Sequence, residues 1–218
     1  QGAFEVNNFT SPAFVARVNY HGVKGLRVGA SFYYNQTAKN GTKPWRNTGY
    51  KFPVTIVTGD LQYKGFNNNL IVRGNAVYGN LGASGALTTI NNSSSAASGY
   101  PNTTVAQNAV SYGGEAGYNI GSFFHSKAPR IYPFIRYEYY NPMEKTEANT
   151  GLLADKRFQV SAVTAGLNYY ALPNLVIKAD YTHRSIGGGK YNDENLVSVG
   201  IAYICLLYTS PSPRDRTR

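Results

Sequence analysis

The chain has 218 residues, a formal net charge of +10, 42% hydrophobic residues and 15% charged ones, which excludes a disordered polyelectrolyte. Nineteen Tyr, ten Phe and 23 Gly against a single Met favour strands and turns over helices and predict an all-β class. No window approaches the roughly 20 consecutive apolar residues of a membrane helix, so a chain of this kind crosses a bilayer only as a closed barrel.

In chain order, Gln1 is neither an initiator Met nor part of a charged, then apolar, export signal, and the true start is expected to lie upstream. Alternation of apolar and polar residues with period 2 then predicts nine strands. They are Phe14 to Tyr20, Leu26 to Asn35, Val57 to Lys64, Leu70 to Tyr78, Val110 to Ile120, Ile131 to Tyr140, Val163 to Tyr170, Leu175 to Arg184 and Val197 to Ile204. The clearest is Leu175 to Arg184, where Leu175, Ile177, Ala179 and Tyr181 share one parity and Lys178, Asp180, Thr182 and Arg184 the other.

The connections alternate in length. Those beginning at His21, Gly65 and Ala171 are short and Gly121 to Pro129 is intermediate; Gln36 to Phe52, Leu81 to Asn108 and Asn141 to Lys156 are long, and Ser185 to Glu194 is on the longer side. Bacterial outer-membrane barrels place short turns in the periplasm and long loops outside. That rhythm predicts a transmembrane antiparallel up-and-down β-barrel whose last strand ends in the periplasm. Single-chain bacterial barrels have even strand numbers, so an odd number of strands is expected upstream; seven would complete sixteen.

Tyr20, Tyr63, Tyr169 and Tyr203 fall toward one set of strand ends and Tyr34, Tyr78, Tyr112 and Tyr139 toward the other, as two aromatic girdles at the membrane interfaces would. On the parity opposite the apolar residues stand Arg17, Arg27, Lys64, Arg73, Arg136, Lys178 and Arg184, against Asp60, Glu115, Glu138 and Asp180. In a barrel these line the lumen, and their positive excess favours small anionic solutes; in a soluble β-sandwich the same residues face outward to water.

The final strand, Ser198-Val199-Gly200-Ile201-Ala202-Tyr203-Ile204, resembles the C-terminal assembly signal of outer-membrane barrels, with Ser198, Gly200 and Tyr203 at matching positions. The barrel-assembly machinery is the partner that signal implies. From Cys205 onward the chain looks like a translated sequencing-library adapter, so residues 1–204 are taken as one barrel domain and 205–218 as a non-native tail. Setting the tail aside removes the only cysteine, consistent with an exported chain without disulfides. It also removes three Arg and one Asp, leaving +8. The strand order and phrases such as Pro173-Asn174-Leu175-Val176-Ile177-Lys178-Ala179-Asp180-Tyr181 resemble the phosphate-selective porin O and P family. That resemblance implies a sixteen-stranded, trimeric pore of the bacterial outer membrane, in contact with lipid and lipopolysaccharide, passing small anions with phosphate among them.

Other chemistry finds little support. Asp180 and His183 have opposite strand parity, which separates them as an acid–base pair. Gly187-Gly188-Gly189-Lys190 lacks the spacing of a phosphate-binding loop. No His or Cys spacing indicates a metal. Lys39, Lys43, Trp45, Arg46 and Lys51 make the first long loop basic, but no nucleic-acid-binding module accompanies them. The expectation is therefore a porin with no catalytic residues, metal or other cofactor and no nucleic-acid partner; the alternative is a non-conducting barrel serving as an adhesin or anchor.

Overall fold

Alternating β-branched or aromatic residues with small polar ones suits a pleated surface that meets two different environments. The computed structural model describes residues 12–36, 51–93, 104–124, 129–148 and 150–203. Nine strands result: β1 (Phe14–Tyr20), β2 (Leu26–Gln36), β3 (Pro53–Gly65), β4 (Leu70–Leu81), β5 (Asn108–Tyr118), β6 (Arg130–Lys145), β7 (Val160–Leu172), β8 (Leu175–Ile186) and β9 (Asp193–Tyr203). They form one antiparallel sheet in the order β1 to β9, each strand pairing with its neighbours in the chain.

All nine predicted strands are present, and several run further than the alternation suggested. β3 starts at Pro53, β7 at Val160 and β9 at Asp193. At the β8–β9 end the extension is held by polar pairs: Arg184 Nη1 donates to Glu194 at 2.8 Å and Ser185 donates to Asp193. Four residues of the stretch Ser185 to Glu194 are thus strand, and its connection shortens to residues 187–192. β5 stops at Tyr118, short of Ile120, which begins a 3-10 turn (Ile120–Phe123). Ile204 and the tail from Cys205 lie outside the described residues, as do His125, Lys39, Lys43, Trp45 and Arg46.

The long stretch between β4 and β5 contains an unexpected helix, α1 (Ser84–Ser93). Its N-terminal amide is satisfied from another loop: Gly85 N–H donates to the Glu147 carboxylate beyond β6. Thr88 Oγ accepts from Val105 N–H at 2.9 Å and donates to Ser84 O at 2.9 Å, so α1 is tied to the chain re-entering β5. Ser84 and Thr88 are buried, and Phe52 is almost fully so.

At the opposite, short-turn end, Phe66, Asn67 and Asn68 all take positive φ between β3 and β4. Asn accepts this region readily, but Phe does so at a cost. The turn is stapled by its surroundings, since Tyr132 Oη donates to Asn68 O at 2.9 Å and Asn119 bonds Asn69 through both backbone and side chain. Between β1 and β2, Gly25 has φ +81 and its carbonyl accepts from Lys64 N–H at 2.8 Å. A side chain there would strike the Lys64 carbonyl.

The nine strands form a single sheet, not the two packed sheets of a sandwich. Among the described residues the only buried hydrophobic side chains are Phe52, Tyr132, Met143 and Val160. Soluble domains bury one face of each sheet against another layer; here Val18, Val197, Val199 and Ile201 are all more than 70% exposed.

Candidate functional site

The strand register decides which side chains share a face. Arg27 pairs with Gln62, Gln62 with Arg73, Arg73 with Glu115, Glu115 with Arg136, Arg136 with Thr164 and Thr164 with Thr182. Directly paired residues in an antiparallel sheet project to the same side. Strand parity then places all seven predicted cations, Arg17, Arg27, Lys64, Arg73, Arg136, Lys178 and Arg184, on one face together with Asp60, Glu115, Glu138 and Asp180. Arg130 and Glu194 belong to that face too, giving eight cations against five carboxylates.

The opposite face carries Val28, Ala30, Phe32, Leu61, Val72, Ala116, Ile135, Leu167, Ile177, Val199 and their neighbours, with charge confined to strand ends such as Asp193. All eight girdle tyrosines lie on it. Tyr112 and Tyr139 stack at 4.9 Å between centroids, and Tyr137 leans on Tyr112 at 6.3 Å. His183 is on this face, its Nδ1–H donating to Asn195 Oδ1 at 2.9 Å. Asp180 is on the other, so these two residues do not meet.

Carboxylates on the charged face are shared between arginines. Asp60 holds Arg17 at 2.6 Å and Arg27 at 3.7 Å. Glu115 holds Arg136 at 2.6 Å and Arg73 at 3.3 Å. Arg136 also reaches Glu138 at 4.0 Å, and Arg184 pairs with Glu194 at 2.8 Å and with Tyr140 Oη at 3.2 Å. Lys64 and Lys178 have no side-chain hydrogen bond or ion pair among the described residues. Asp60 serves two guanidiniums and leaves its group an excess positive charge, whereas Glu115 and Glu138 together balance Arg73 and Arg136; the surplus on the face comes from the first group and from the two lysines. These side chains are partly exposed, so the pairs fix geometry more than they add stability.

Two glycines make this layout sterically possible, and strand alternation alone did not single them out. Arg17 on β1 reaches Asp60 on β3 by passing over Gly29 on β2; a Cβ at Gly29 would run into both groups. Gly113 lies between Asn75 and Glu138 in the register and forms the floor of an open depression of about 450 Å³ lined by Arg27, Gln62, Arg73, Asn75, Arg136 and Glu138. Glycine at a polar-parity position inside a strand was the available signal, because such a position marks a close approach. Phe134 is one of several apolar residues on this face, with Ile71, Val77 and Leu196. Its ring covers Gly166 on β7, and the Arg136 guanidinium sits 5.6 Å from the ring centroid.

Outside the strands, Asp155 caps a 3-10 turn (Lys156–Phe158) by accepting from Arg157 N–H at 2.9 Å. The hydrogen bonds from the Arg157 side chain, with that backbone bond, hold the Asp155 carboxyl below the usual carboxylate range. Among the described residues no group of three or more His, Cys, Asp or Glu is placed to hold a metal ion. No family model matches this sequence, and neither does any curated protein.

Proposed function

We propose that the sheet is part of an outer-membrane β-barrel whose charged face lines an aqueous pore, passing small hydrophilic solutes with a preference for anions. The observation that carries this reading is the division of the faces. Charge, amides and hydroxyls gather on one side, while the other is apolar, exposed and fringed by tyrosine at both strand ends. Lipid is the environment that rewards such a face on a single sheet with no second layer. Strands β2 to β9 have 11 to 16 residues, enough for the roughly 9–11 that cross a bilayer at a tilt. The strict neighbour-to-neighbour order, with three of the four connections at the β3–β4 turn end no longer than five residues, agrees with an up-and-down barrel. Closure, by strands additional to these nine, belongs to the same proposal, as does a trimeric assembly.

The experiment is conductance of the intact protein in planar bilayers. Stepwise, ohmic openings are expected, with a reversal potential in a KCl gradient displaced toward that of chloride, because the face carries surplus guanidinium and ammonium groups. A barrel that inserts but stays closed at all voltages would overturn the pore reading in favour of an adhesin or anchor.

A further inference from the structure

The depression over Gly113 has a charge layout that a simple anion site would not need. Arg27, Arg73, Glu115 and Arg136 stand in one register row across β2, β4, β5 and β6, and Asp60, Asn75, Gly113, Glu138 and Arg184 stand in the next row toward the long loops. With a rise of about 3.4 Å per residue, same-face rows lie about 7 Å apart. Arg73 and Glu138 thus stand one row and two strands apart, about 12 Å between their Cα positions, and their long side chains reach in from both ends to leave room for a small solute between them.

The two rows are not fully consumed by each other. Glu115 is the most buried member, at 19% exposure, and accepts from both Arg73 and Arg136. Arg73 remains 56% exposed, Arg27 50% and Glu138 53%, and the last is touched only at 4.0 Å. Available guanidiniums and an available carboxylate thus border the same 450 Å³ space, flanked by the Gln62 and Asn75 amides. For inorganic phosphate or another small dianion, Glu138 on the rim is repulsive. For a solute carrying both signs it is a second point of attachment. Gly113 keeps the floor open, since a Cβ there would come within 2.9 Å of the Tyr137 carbonyl and 3.4 Å of the Glu138 Cγ.

From this geometry we propose that the depression is a binding site for zwitterions of amino-acid or dipeptide size. The carboxylate is taken by Arg73 and Arg27 and the ammonium by Glu138. The assignment rests on the pore reading of this face and deepens it by naming a solute class.

The test is block of single-channel current by glycylglycine and, separately, by inorganic phosphate, in the wild type, Glu138→Gln and Arg73→Gln. Glu138→Gln is expected to weaken dipeptide block about tenfold, the scale of one lost charge-assisted contact, while leaving phosphate block unchanged or tightening it. Arg73→Gln is expected to weaken both. Dipeptide block that is unchanged or tightened by Glu138→Gln would overturn the proposal and leave a plain anion site. A wild type that never conducts removes the pore reading instead; calorimetric titration of the detergent-solubilised protein with glycylglycine, using the same two variants, then decides the site.

Discussion

An interior strand glycine forgoes packing and costs about 0.5–1 kcal/mol relative to alanine, yet Gly29 sits in the middle of β2. The Arg17–Asp60 bridge over it explains the choice, because only a bare Cα lets a guanidinium cross one strand to reach the next. Gly59, one register step away on the other face of β3, has nothing within 4 Å of the Cβ it lacks. The two positions should respond with opposite sign to the same substitution. Gly29→Ala is expected to destabilise by about 1–3 kcal/mol through overpacking. Gly59→Ala is expected to be neutral or to stabilise by up to about 1 kcal/mol. Denaturant titration of the folded protein in lipid measures both, and equal losses at the two sites would count against the steric account.

Among the elements, α1 depends on a residue far from it in the chain. Ser84–Ser93 has no acidic residue in its first turn, and the Glu147 carboxylate supplies what the helix lacks, a charge-assisted acceptor at the positive end of its dipole. Replacing Glu147 by Ala should cost the helix about 1 kcal/mol and speed amide exchange in α1 while leaving β4 and β5 protected. Uniform loss of protection across all three would contradict a local role for Glu147. The same dependence explains why α1 was not legible in the sequence: the stretch is polar and uncharged, and its cap lies 62 residues away. The strands were legible because two environments impose a period of 2 on every one of them. Their ends were less so, since Ser185, Asp193 and Glu194 read as loop residues until cross-strand pairing makes strand of them.

For the molecule as a whole, parity alone put all seven predicted cations on one face, and the register bears that placement out. What parity could not reveal is the sharing of carboxylates: Arg17 finds Asp60 two strands away, and Arg73 and Arg136 converge on Glu115 from either side. Such relations exist only once strands are aligned. The direction in which each face looks is open to measurement by cysteine substitution in a background lacking Cys205. Arg27→Cys and Lys178→Cys should react readily with a charged, water-soluble thiol reagent in intact membranes, whereas Val28→Cys and Ile177→Cys should react at least about tenfold more slowly because thiolates do not form in hydrocarbon. The reverse order would turn the sheet inside out.

The unbroken β1-to-β9 order has an evolutionary corollary. Because every strand pairs with those before and after it, and because two strands restore both the facing parity and the end of the sheet at which the chain emerges, a hairpin is a removable unit. Duplicating or deleting one such pair would leave the alignment of all remaining strands untouched and, in the barrel proposed above, widen or narrow the circumference. Sheet width in a chain built this way can change by a single recombination, with no wholesale redesign of its sequence.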